Sequence, residues 1–431
     1  MAQRPGLRDA AAAFRHRDFA IFWTGAVFSN TGTWIQRATV PFVLFEMTGS
    51  ATWVGFAAFA SLIPAVVMGP LAGVIADRYP RRRVLLISQS VMALIDFALY
   101  LTFVFDAASP WVLIAFTASI GVVGGLNIPS WQAFVSELVP REQLLNAVTL
   151  NSAQFNASSA LGPALAGVIL ATWGADAAFL INALSFGAVI VALMLVRDSR
   201  ASVSSPPSGK VLSQFAETVR YVRARPGMAT CVHLVVLLGL LGSPVFQLIK
   251  VFTDEVFHVG PVAFGLLGAS LGIGSVIGAP IVAGPGSALP RSRLTGGGIV
   301  VYGLSLTAFA LAPVYGVALV ALLIAGGAYL AVASSLNTTL QTQVDEAIRG
   351  RAMGVYLMSF TLAIPLGALA QGWLADVVGP RPTVAVAGAL FSASALVMGA
   401  WGRLTAMDDD GPPARAAAAD PVTPAGPAVG A

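Results

Sequence analysis

Apolar runs of about 20 residues recur along this chain from Phe19 to Trp401, each long enough to cross a hydrocarbon core about 30 Å thick. No other feature narrows the fold so far. With 57% hydrophobic and only 10% charged residues over 431 positions, the chain carries more apolar surface than a soluble globule of this length can hide. The runs fall at 19–44, 53–75, 84–105, 111–134, 146–170, 177–196, 229–252, 262–284, 295–312, 315–336, 352–374 and 382–402. They predict an all-α integral membrane protein with twelve transmembrane helices. The 44 Gly and 26 Pro suit that class, because both allow close packing and broken helices in membranes. No small-residue cleavage site with a soluble domain follows the first run, which therefore reads as a retained span.

Net charge is +4, and the basic residues follow topology rather than a nucleic-acid surface. An even number of spans puts both termini on one side. If that side is the cytoplasm, Arg381 is the one basic residue in an outer loop, and Arg37 and Lys250 lie within spans. All the others gather on the inner side, as the positive-inside rule requires. This predicts a multi-pass cell-membrane protein with cytoplasmic termini. Expected units are a cytoplasmic arm (1–18), a first six-helix bundle (19–196), a cytoplasmic central loop (197–228), a second bundle (229–403) and a disordered cytoplasmic tail (404–431). Within the central loop, Val211, Leu212, Phe215, Val219 and Val222 recur at helical spacing beside Arg220 and Arg223, which predicts an amphipathic helix on the inner membrane surface.

The halves echo each other. Leu161-Gly162-Pro163-Ala164-Leu165-Ala166-Gly167 lies over Leu366-Gly367-Ala368-Leu369-Ala370-Gln371-Gly372 at an offset of 205 residues, and Glu46 before Gly55 resembles Glu255 before Gly265. Duplicated six-helix halves mark transporters that rock two bundles about a site near the membrane midplane.

After the second span stands Gly73-Val74-Ile75-Ala76-Asp77-Arg78-Tyr79-Pro80-Arg81-Arg82-Arg83. It resembles the signature loop between helices 2 and 3 of the major facilitator superfamily. Asn30-Thr31-Gly32-Thr33-Trp34-Ile35-Gln36-Arg37 and Arg349-Gly350-Arg351-Ala352-Met353-Gly354 resemble the branch that holds the enterobactin exporter and macrolide efflux proteins, the transmembrane secretion effectors. The resemblance implies two pseudo-symmetric six-helix bundles. It also implies an inner gate of Gly73, Asp77, Arg78, Arg81, Glu137 and Arg351, with Asp77 facing the start of helix 11 and Arg81 engaging Glu137. An aspartate is favoured there because a helix N-terminus exposes unpaired amides and partial positive charge. Gly162, Pro163 and Gly167 resemble the antiporter motif of helix 5, expected to pack against its counterpart in the other half. Helix 4 departs from the drug/proton antiporters: Thr117 and Ile120 stand where an embedded Arg would precede Gly121 or Gly124.

Charges inside spans are costly and need a reason. The fold implied by the resemblance places helix 1 on the cavity, making Arg37 the leading solute-side charge. Asp96, near the middle of helix 3, is equally open to a structural role and to proton coupling. Asn30, Gln36, Asn127, Gln154, Gln247, Asn337 and Gln341 complete the candidate cavity lining, together with Asn151 and Gln132. Such a cavity suits a bulky amphipathic solute better than a sugar or a small ion.

The favoured function is a secondary active exporter of siderophore-, macrolide- or drug-like molecules, coupled to a proton gradient and acting as a monomer in the bilayer. An importer or lysolipid flippase of the same fold and a non-transporting receptor are the alternatives. No nucleophile with its base, metal cluster or ATP-binding loop is evident, so no enzyme activity, metal or cofactor is expected. The lone cysteine, Cys231, excludes an intramolecular disulfide.

Overall fold

The computed structural model describes residues 12–197 and 211–408, and among them the chain forms helices and no strand. The start of the arm, the Ser-Pro stretch of the central loop, the tail beyond Asp408 and the side chain of Asp77 lie outside the described residues. The first half comprises α1 (Arg17–Thr48), α2 (Ala51–Arg78), α3 (Arg81–Val104), α4 (Pro110–Glu137), α5 (Leu144–Thr172) and α6 (Gly174–Leu195). The second comprises α7 (Pro226–Glu255), α8 (Pro261–Ala283), α9 (Arg291–Ala310), α10 (Tyr315–Gln343), α11 (Arg349–Val378) and α12 (Pro380–Ala400). Ten of these rods are long and apolar enough to cross a membrane; α1 and α9, which carry more polar sequence, are the two that fall short. Prolines 110, 226, 261 and 380 open their helices, where a missing N–H costs nothing.

Inside the first half α2 packs on α4, α4 on α3, α3 on α6, α6 on α1 and α1 on α5. The second half repeats the series with α8, α10, α9, α12, α7 and α11. Alternating directions put the loops on two faces. The terminal face holds the described chain ends and the α2/α3, α4/α5, α8/α9 and α10/α11 turns. The opposite, distal face holds the α1/α2, α7/α8 and α11/α12 turns.

Two stretches differ from the sequence expectation. The seventh span is broken: α-helix Pro226–Leu237 passes through a π-helical turn, Leu238–Gly242, into helix Val245–Glu255. Pro244 supplies no N–H, and this widens the preceding turn. Gln371 on α11 donates to the carbonyls of Leu240 (2.8 Å) and Leu241 (3.1 Å), tying the break to the neighbouring helix. The tail boundary also moves. The chain stays packed through Asp408, because Met407 is buried and Asp408 accepts the backbone N–H (2.8 Å) and hydroxyl of Ser292, capping the first turn of α9.

The expected linker helix forms over Val211–Arg223. Val222 is buried with the core of the second half, and Tyr221 donates to Asp345 (2.6 Å), so the helix is fastened to the base of that half.

Candidate functional site

The two halves meet most extensively at two seams, α2 with α11 and α5 with α8. The repeat exchanges them. A Cβ on Gly55 would strike the carbonyl of Ala368, and one on Gly265 would strike the carbonyl of Pro163, which is 205 residues before Ala368. Gly167 lies against Pro261 and Gly265, just as Gly372 lies against Ala51 and Thr52. Backbones touch at these points because glycine leaves no side chain between them. Pro163 and Gly167 therefore pack across the halves, but on α8 rather than on the α5 counterpart, α11; Gly162 stays within its own half, against Trp34 of α1.

All of these contacts lie toward the distal face, and polar groups complete the closure there. Asp376, near the end of α11, accepts the backbone N–H of Ala51 (2.7 Å) and Thr52 (3.0 Å) and the hydroxyls of Ser50 and Thr52 (both 2.6 Å). Ser50 offers α2 no side-chain cap of its own, so the cap comes from the other half. Gly49, at φ 59°, makes the tight α1/α2 turn that presents these amides. Beside them Lys250, only 3% exposed, donates to Glu46 of α1 (2.5 Å) and Asp254 (2.7 Å) and lies 3.8 Å from the centre of the Phe42 ring.

Toward the terminal face the same helices are apart. A Cβ on Gly69 or Gly73 of α2, or on Gly350 or Gly354 of α11, would meet nothing within 4 Å. The molecule is closed at the distal end and open at the terminal end. Arg81 and Glu137 form an ion pair, but it links α3 to α4 within one half. Arg78 and Arg351 are exposed.

Asp96 is fully buried. Its carboxylate accepts from Gln36 of α1 (2.7 Å) and Asn182 of α6 (2.5 Å), and Asn182 also donates to Gln36. Gln36 thus belongs to a closed polar triad rather than to a cavity wall. Asn127 likewise turns toward α3, accepting from Ser88 (2.8 Å) and Gln89 (3.3 Å). Gln341 donates to Asn337 one turn earlier on α10. Gln154 is buried with both amide atoms unbonded, in a crevice of about 260 Å³ between α1 and α5. Asn30 and Gln247 are half-buried.

Arg37 stands apart. At 100° per residue it falls midway between the Val40 face of α1, packed with Ala57 and Ala60 of α2, and the Trp34 face, packed on Gly162 and Phe155 of α5. Toward α6 the helix presents Gly32 and Gln36 instead. Arg37 is exposed, its guanidinium lies 5.0 Å from the centre of the Trp34 ring, and no carboxylate is within ion-pair reach among the described residues.

Residues 9–423 match the family profile described as transmembrane secretion effector. The chain belongs to that family, a branch of the major facilitator superfamily. The chain is 25% identical over 391 residues to macrolide efflux protein A of Streptococcus pyogenes, covering 88% of this chain and 94% of the relative. It is 28% identical over 371 residues to the multidrug efflux pump Tap of Mycolicibacterium fortuitum, covering 83% and 89%. The fold matches the inward-open xylose transporter XylE from E. coli with a TM-score of 0.67, 16% identity and coverage of 88% and 94%. The protein is a multi-pass membrane transporter for a small-molecule substrate and is not an enzyme. Asp376, Asn182 and the Lys250 to Glu46 pair escaped the sequence reading. Asp376 left a signal, since Gly372-Trp373-Leu374-Ala375-Asp376 repeats the pattern of Gly73 to Asp77, and Lys250 and Glu46 were each marked in the sequence but not as partners.

Proposed function

We propose that the protein is a secondary exporter of bulky amphipathic solutes that carry an acidic group, working by alternating access as a monomer. Positive-inside counting makes the terminal face cytoplasmic. The cavity then opens inward, the side from which an exporter loads. The observation that carries the solute class is Arg37: an exposed, unpartnered cation inside a span, lying beside the aromatic pair Trp34 and Phe155. The solute's own anion supplies the missing partner, and its apolar body rests on the rings. The names of the efflux relatives support export of drug-like molecules.

Asp96 is the proton carrier in this reading. As a carboxylate it accepts from both Gln36 and Asn182. Once protonated it gains an O–H donor that needs an acceptor, and turning one amide over supplies it. Gln36 precedes Arg37 on α1, and the turn passes the protonation state to the solute site.

Purified protein in liposomes with an imposed pH gradient, tested on amphipathic acids and their methyl esters, decides the matter. The expected result is gradient-driven accumulation of the acids, with Arg37→Gln losing the preference for acid over ester. Asp96→Asn should keep solute exchange while losing accumulation, since exchange needs no net proton movement. Equal handling of acids and esters by the wild type removes the solute class, and an Asp96→Asn protein that still accumulates solute removes the proton role.

A further inference from the structure

The linker helix Val211–Arg223 is fastened along one edge. On that edge Tyr221 donates to Asp345 (2.6 Å), and Arg225, just past the helix, lies 3.4 Å from Asp345 and 3.7 Å from the centre of the Tyr221 ring. At 100° per residue Phe215, Val219 and Val222 form one stripe, and Arg223 flanks it on the side away from Tyr221, with Arg220 beyond. Both arginines are exposed, and neither has a carboxylate within ion-pair reach among the described residues. Under the stripe runs an apolar crevice of about 270 Å³, walled by Val232 of α7 and by Val355 and Ser359 of α11, with Arg223 and the exposed His233 also lining it. This crevice faces lipid. Val355 and Ser359 begin the α11 stripe that runs on through Leu366, Trp373 and Val377, all exposed, whereas the seam with α2 uses the opposite side of the helix, at Ala368 and Gly372. His233 and Ser359 stand about 10 and 15 Å along their helices from the terminal face, at 1.5 Å per residue, which is within the thickness of one leaflet. The first half holds the repeat of this crevice between α1 and α5, Gln154 standing 205 residues before Ser359, but nothing basic lines it.

We propose that this crevice is a site for an anionic phospholipid of the leaflet on the terminal side, with one acyl chain lying under Phe215 and Val219 and the phosphate held by Arg223. An apolar slot with unneutralised cations at headgroup level fits a lipid better than a soluble anion, which would leave the slot empty. The long arginine side chain can lie along the apolar edge and still reach the phosphate, and Arg220 adds a second charge that a zwitterionic headgroup would offset with its own ammonium. His233 supplies an N–H for the phosphate or ester oxygens. Bound there, the lipid ties the free edge of the linker helix to α7 and α11, as Asp345 ties the other edge. The inference goes beyond solute export and does not depend on it.

The test is to purify the whole chain in detergent and titrate it with dioleoyl phosphatidylglycerol or dioleoyl phosphatidylcholine, counting bound lipids by native mass spectrometry. The two lipids share their acyl chains and differ in headgroup charge. The wild type should take up its first phosphatidylglycerol about five-fold or more tightly than phosphatidylcholine, the effect of at least one cation beside an anionic headgroup. Arg223→Gln should lose about that five-fold preference. Arg403→Gln removes the same charge from an exposed position at the terminal end of α12 and should keep the preference. Ser359→Trp fills the crevice from its lipid side and should abolish the tight first binding; Val232→Trp fills it from α7 and serves if Ser359→Trp does not fold. Equal affinity of the wild type for the two lipids, a preference undiminished in Arg223→Gln, or an equal loss in Arg403→Gln overturns the site. So does tight binding that survives both tryptophans, which would mean that another segment of the chain or a second copy closes the crevice.

Discussion

The α2/α11 and α5/α8 seams are one contact used twice, and the difference between them separates what lets the halves pivot from what holds them at one end of the stroke. Both rest on glycines against a facing backbone, at Gly55 with Ala368 and at Gly265 with Pro163. Among the described residues, only the α2/α11 seam is finished with charge, through Asp376. Small residues allow bundles to approach without fixing a state, because dispersion contacts are individually weak and are lost gradually with separation. A carboxylate on a helix N-terminus is different. It is made or broken within about an ångström, which suits a switch.

Bulk inside a seam should have the largest effect and treat the two seams alike. Gly167→Leu on α5 or Gly55→Leu on α2 drives a side chain into backbone and costs about 1–3 kcal/mol of strain in the distal-closed state. Solute flux in liposomes should fall roughly tenfold or more for both. Gly73→Leu is the contrast, since that position is open in this state. It should leave distal closure intact and block terminal closure, so the three variants together sharpen the comparison. Normal flux in Gly167→Leu would mean that α5 and α8 do not need to meet.

The Lys250 cluster comes next, a contact between the halves that lies outside both seams. Lys250 is almost fully buried and joins α7 to α1 through Glu46, so Lys250→Met leaves carboxylates at the distal face without their cation. Glu46 is more than half exposed, which moderates the cost to about 1–2 kcal/mol. Flux should drop several-fold, and Glu46→Gln added to Lys250→Met should restore part of it. A double variant worse than the single one would show that the pair is not a unit.

Much of the architecture was legible in the sequence because membrane helices announce themselves by length and apolarity, and the repeat by its glycines. Leu161 to Gly167 over Leu366 to Gly372 marked the duplicated halves, and the helix 5 motif of Pro163 and Gly167 marked a packing surface, although its expected partner was α11 and the contact falls on α8. Side-chain partners were less legible. Gln36 and Asn127 look like cavity amides in sequence, yet one turn of helical phase decides whether an amide meets a neighbouring helix or a cavity. Asn182, the second donor to Asp96, sits in an apolar helix with nothing local to distinguish it. The contact of Asp376 with Ser50 spans 326 residues, and no spacing rule reaches that far. The break in α7 was readable from Gly242-Ser243-Pro244, since a proline there withdraws a donor from the helix.

Replacing the Asp376 latch by a covalent one tests alternating access most directly. The hydroxyl of Ser50 lies 2.6 Å from the Asp376 carboxylate, so Ser50→Cys with Asp376→Cys sets two thiols facing each other for oxidation to a disulfide, and buried Cys231 does not compete. Oxidised to completion in liposomes, this protein should carry no solute, and reductant should return flux to the level of Asp376→Asn. Undiminished flux with the disulfide fully formed would contradict the account, because solute would then be crossing a membrane protein whose distal end cannot open.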